Sequence, residues 1–169
     1  MANHAKRYFL MHGANSDRHN LPRMSWPARP YFPLNPEVKA MPLVRINLAQ
    51  TASPEVVQAI SDIVYDAMIN VVKVPEHDKF QIITRHAPDE LIYPAEGYLG
   101  VTYTPGIVFI QVTWNTGRTT EMKKAFYRAV ADGIHAKTRV RKEDVWINLV
   151  EVNREDWSFG NGDMHYAPK

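Results

Sequence analysis

Residues 41–42, a methionine followed by a proline, are the first place where this chain offers unusual chemistry. The stretch "KAMPLVRINL" (39–48) reads as the opening of a strand. A proline leading an edge strand is ordinary while its nitrogen stays in a peptide bond. If the working chain begins at Met41 and the methionine is removed, Pro42 carries a free secondary amine instead. A free α-amine has a reference pKa of about 7.7–8.0, and a prolyl amine starts more basic. Burial and a nearby guanidinium both disfavour its charged form. A base brought near the working pH in this way can move a proton beside a carbonyl. If residues 1–41 stay attached, the nitrogen is an amide without a basic lone pair, and that chemistry is lost. Arg118, in "NTGRT", is the second candidate: a guanidinium there can hold a carboxylate bidentately and stabilise charge developing on an enolate oxygen.

The elements that must position these groups are legible from residue 41 onward. Val44, Ile46 and Leu48 alternate in the way of a half-buried strand. Ser53-Pro54-Glu55 opens a helix with a cap, a first-turn proline and an acid near the positive end. Val56, Val57, Ile60, Val64, Met68, Val71 and Val72 recur at helical spacing and form its core face. "FQIITRH" (80–86) is a second strand, and "GYLGVTY" (97–103), Pro105-Gly106 and "IVFIQVTW" (107–114) read as a hairpin. Thr119 caps a second helix running to about His135, with Met122, Ala125, Phe126, Ala129 and Val130 inward. "DVWINLVEV" (144–152) is the closing strand.

These elements repeat at a spacing of 66 residues. "VPEHDKFQII" (74–83) aligns with "VRKEDVWINL" (140–149), Ser53 with Thr119 and Glu55 with Glu121. The body is therefore β-α-β written twice: an α+β domain with a four-stranded mixed sheet and two helices on one face. The other face is left to an oligomer. Positions that agree between the copies serve the architecture, and distinctive mismatches are candidates for function. Pro42 falls opposite Val108 and Arg118 opposite Ala52, so the scaffold demands neither. Asp78 falls opposite Asp144, which leaves it evenly placed between a turn-former and a functional carboxylate. Asn115 and Thr116, polar loop residues, are further candidates for substrate contact.

Residues 1–41 are different in kind. They hold five of the chain's twelve prolines and no periodicity, and are expected to run without regular structure. Residues 42–169 form the domain. Lys6, Arg7, Arg18, Arg23, Arg29 and Lys39 face only Asp17 and Glu37 in the extension, so the basic balance lies there and the body is mildly acidic. An acidic body gives no support for nucleic-acid binding. No apolar run approaches the roughly 20 residues that cross a bilayer, and "YFLM" is too short for a signal-peptide core. A cytoplasmic location is expected. The chain has no cysteine, which removes thiolate chemistry, and His77, His86, His135 and His165 lack metal-ligand spacing, so neither metal nor cofactor is expected.

Met-Pro at the head of a β-α-β doublet, followed in order by "VPEHDKFQ", "GRTTEMKKAFYRAV" and "EDWSFGNG", resembles the tautomerase superfamily, and within it the malonate semialdehyde decarboxylase-like group. The resemblance covers residues 42 to about 162. It implies removal of the initiating methionine, catalysis by the amino-terminal proline (here Pro42), assistance from an aspartate matched by Asp78, and a carboxylate-binding arginine matched by Arg118. It further implies an apolar wall matched by Trp157 and Phe159, and a homotrimer. The decarboxylase carries a second arginine two residues before the first, where this chain has Thr116. Keto–enol isomerisation of a 2-oxo acid is therefore the first expectation. Decarboxylation or hydration of a malonate semialdehyde-like 3-oxo or unsaturated acid is the alternative, and a trimer without catalysis follows if Pro42 is not a free amine.

Overall fold

Two capped helices and four strands account for most of residues 42–166, the part of the chain that the computed structural model describes. Strand β1 (Leu43–Ala49) leads to helix α1 (Pro54–Asn70) and strand β2 (Phe80–His86). Strand β3 (Val108–Asn115), helix α2 (Thr120–Thr138) and strand β4 (Val145–Val152) repeat the order. The start of each helix is set by its cap. Ser53 Oγ accepts from the Val56 amide at 3.4 Å and Thr119 Oγ1 from the Met122 amide at 3.2 Å, each satisfying a donor that the first turn leaves free.

The sheet order is β2-β1-β3-β4, with β1 parallel to β2, antiparallel to β3, and β3 parallel to β4. Val44, Ile46 and Leu48 of β1 and Val108, Ile110, Val112 and Trp114 of β3 point to the helical face. There they join Ile60, Val64 and Met68 of α1 and Phe126, Val130 and Ile134 of α2 in one buried cluster. Trp114 packs edge-on to Phe126 with centroids 5.4 Å apart, and truncating such a ring to alanine costs about 3–5 kcal/mol. The helices approach closely at Gly133, where a Cβ would stand 2.7 Å from Ile63 Cγ2. The 66-residue repeat is thus a physical one: two β-α-β units share one core, with both helices on one face.

The opposite face carries Leu43, Arg45 and Asn47 of β1 beside Phe80, Ile82 and Thr84 of β2, and Phe109 beside Trp146. Phe80, Ile82 and Trp146 are 40–49 % exposed there. This is the uncovered face that the sequence implies.

Three expectations are corrected. Residues 97–103 form no strand; a single bridge joins Tyr98 to Val101. Gly97, Leu99 and Gly100 all have positive φ (83°, 49° and 80°), which folds the segment into a tight turn and prevents extension into a hairpin. Ala125 is exposed on α2, while Phe126 and Val130 take the core positions. The second helix also runs to Thr138, past the expected end near His135. The expectation of irregular structure for residues 1–41 lies outside the described residues.

Candidate active site

The strand directions bring the distant candidates to one end of the sheet. Because β1 and β2 are parallel, Pro42 and the Asp78–Phe80 segment lie together at their starts. Because β3 runs antiparallel to β1, its far end, with Asn115, Thr116 and Arg118, arrives at the same place. β4 ends beside it, and the Thr116 amide donates to the Val152 carbonyl at 3.0 Å. The chain then turns through Arg154–Asp156 and returns Trp157 and Phe159 toward the start of β1.

Pro42 is buried. With Leu43, Phe80, Trp157, Ser158 and Phe159 it lines a cleft of about 250 Å³. The rings of Trp157 and Phe159 stack at 5.6 Å with an interplanar angle of 15°, and Tyr166 meets Phe159 edge-on at 5.2 Å. The Phe159 amide donates to Nδ1 of His165 at 3.2 Å, which ties down the return segment. Apart from its backbone and Ser158, this cleft is apolar, a setting that disfavours a charged amine.

Arg118 lines a neighbouring pocket of about 170 Å³ with Val72, Asn115, Thr116, Gly117, Met122 and Arg154. Its Nη1 donates to the Asn115 carbonyl at 2.7 Å and its guanidinium lies over the Trp114 ring, 4.4 Å from the centroid. Its Nε is buried with no partner among the described residues. Burial pulls its pKa below the ordinary arginine value, with the Glu151 charge acting in the opposite direction; the group stays a cation at neutral pH. Between the two cavities, Trp157 Nε1 donates to Asn115 Oδ1 at 2.6 Å. One residue of each cavity is therefore locked to the other.

Asp78 and Asp144, equivalent in the repeat, differ in environment. Asp144 is buried and accepts from the amide and the hydroxyl of Thr104, both at 2.7 Å. That carboxylate anchors a loop. Asp78 has a buried Oδ2 without a partner among the described residues. Burial raises its pKa above the usual aspartate value, and His77 opposes the shift. It lies at the same end of the sheet but outside the lining of both cavities.

Sequence reasoning missed Ser158 in the cleft and Arg154 in the second pocket. A signal for the latter was available. Asn153 and Asp156 form a reciprocal cap, the Asn153 amide donating to Asp156 Oδ2 at 2.7 Å, and this three-residue spacing marks a helical turn.

Known proteins agree with this architecture. The family model described as "Tautomerase enzyme" matches residues 78–160. The probable tautomerase YusQ of Bacillus subtilis (strain 168) is 43 % identical over 122 residues, covering 72 % of this chain and 95 % of YusQ. A crystal structure of FG41 malonate semialdehyde decarboxylase inhibited by 3-bromopropiolate matches with a TM-score of 0.67 at 38 % identity, over 73 % of this chain and 93 % of that one. A fused 4-OT symmetric trimer shares the fold at 22 % identity and a TM-score of 0.60, over 71 % and 93 %. The chain belongs to the tautomerase family. Within that family it falls in the malonate semialdehyde decarboxylase-like branch.

Proposed function

We propose that this protein is a cofactor-independent oxo-acid tautomerase in which Pro42, freed as an amino-terminal secondary amine, transfers the proton in keto–enol isomerisation of a 2-oxo acid. The observation that carries this reading is the burial of Pro42 in an apolar cleft next to a pocket headed by Arg118. Arg118 grips the substrate carboxylate and stabilises the enolate as it forms. Pro42 takes the proton from the adjacent carbon and returns it across the enolate. Trp157 and Phe159 form the apolar wall, Asn115 and Thr116 contact the substrate, and Asp78 assists the amine. Supporting the start at Met41, the matched region is 95 % of YusQ but only 72 % of this chain, so the relative has no room for an extension of this length.

The assembly in this reading is a homotrimer in the cytoplasm. The exposed Phe80, Ile82 and Trp146 on the helix-free face support association, as does the trimeric 4-OT structure of the same fold. A second reading, decarboxylation of a 3-oxo acid, is favoured by the 38 % identity to a malonate semialdehyde decarboxylase. There a protonated Pro42 would act as the acid or electrostatic catalyst.

The test is covalent. A chain beginning at Pro42, treated with 3-bromopropiolate, should gain one adduct on its amino-terminal peptide and lose turnover of 2-oxo acids in parallel. An adduct elsewhere, or none while activity falls, would refute the amine as the reacting group.

A further inference from the structure

We infer that Arg154 is a second anion-binding residue of the site, and that it selects substrates carrying two carboxylates over those carrying one. The inference deepens the reading of the Arg118 pocket as the carboxylate end of the site, and is independent of the state of Pro42.

Arg118 comes from the loop between β3 and α2, and Arg154 from the turn after β4; they share one small pocket with Asn115, Thr116 and Gly117. Among the described residues, no acidic side chain lines it. Glu151, whose charge bears on Arg118, is bound to Lys123 at 2.8 Å. Among the described residues Arg154 has no ion pair, and Nε of Arg118 is buried without a partner. Two cations held in one pocket repel each other unless an anion compensates them. Arg154 is placed there by a fixed turn, since the Asn153–Asp156 cap holds its backbone. A single carboxylate pairs with the half-buried Arg118 and leaves Arg154, which is exposed at the rim of the pocket, to solvent; a small dicarboxylate engages both. Among the described residues, the neighbouring cleft of Leu43, Phe80, Trp157 and Phe159 offers no second cation. Both carboxylates therefore belong on the arginine side, with the reacting carbon directed toward Pro42.

The experiment is calorimetric titration of the 169-residue chain with malonate and with propionate at fixed ionic strength. The wild-type chain is expected to bind malonate about tenfold tighter or more than propionate. Arg154→Ala should bring malonate down to the propionate level while changing propionate affinity by no more than about twofold. Arg154→Lys, which keeps the charge without the planar fork, should recover part of the preference. Arg118→Ala should weaken both ligands. Failure to bind malonate, equal affinity for the two acids, or a preference that survives Arg154→Ala would overturn the inference. A malonate preference without turnover of any oxo acid by a chain beginning at Pro42 would instead count against the catalytic reading alone.

Discussion

The indole nitrogen of Trp157 donates to the side-chain oxygen of Asn115 over 2.6 Å, and this bond joins the wall of the proline cleft to the floor of the arginine pocket. Asn115 is the last residue of β3 and is buried; Trp157 lies on the segment that returns after β4. Replacing Asn115 with alanine leaves the indole N–H without its acceptor, at a cost of about 1–3 kcal/mol in stability. Urea denaturation should show that loss, and kcat/KM for 2-oxo acids should fall with it. Trp157→Phe keeps an apolar ring against Phe159 and should retain more activity than Trp157→Ala.

Arg118 has a double part. From the repeat, where Ala52 occupies its place, Arg118→Ala is expected to leave the fold nearly intact. The structure adds a hydrogen bond to the Asn115 carbonyl and a cation–π contact with Trp114, so a stability loss of about 1 kcal/mol is expected as well. Transition-state stabilisation for carboxylate substrates should fall by about 2–4 kcal/mol. Steady-state kinetics of Arg118→Ala and Arg118→Lys, read beside their denaturation midpoints, separate the two effects.

Asp78 gives a pH signature. Its folded-state pKa is raised by burial, so the folded chain binds this proton more tightly than the unfolded chain does. Stability from this group is then full below the unfolded aspartate value of about 3.9 and declines as pH rises through the folded value. Asp78→Asn should be slightly more stable than wild type at neutral pH, and the difference should shrink as pH falls through the carboxylate range. Denaturation midpoints across that range check the sign. The proposed role of Asp78 as the assistant of the amine predicts that turnover falls in the same variant.

The helix-free face predicts the assembly. Trp146, 40 % exposed and packed against Phe109 with centroids 5.4 Å apart, lies on it. Light scattering should give the mass of three chains for the wild type. Trp146→Glu places a charge in that interface and should shift the mass toward one chain without unfolding the monomer.

Strand alternation and helix caps carried the fold because each is a local signal with one physical cause. Ser53 and Thr119 announce their helices, and the matched stretches at residues 74–83 and 140–149 announce the duplication. The segment at residues 97–103 misled because its apolar residues mimic a strand, while three residues of positive φ turn it back. Pro42 and Arg118 stood out as mismatches between the copies, although nothing local says that they meet at one sheet end; strand direction decides that. Asp78 and Asp144 look alike in sequence because their difference lies in what approaches from elsewhere, Thr104 in one case only. Arg154 escaped notice because its pocket partner lies 36 positions earlier and on another element.

The proposed role of the Pro42 nitrogen is open to one direct comparison. Keto–enol conversion of phenylpyruvate is measured for a chain beginning at Pro42 and for the 169-residue chain, the latter verified intact by mass. A catalytic amine at Pro42 predicts rapid conversion by the first and a rate near the uncatalysed one for the second, where the nitrogen is an amide. Equal rates from both would contradict it.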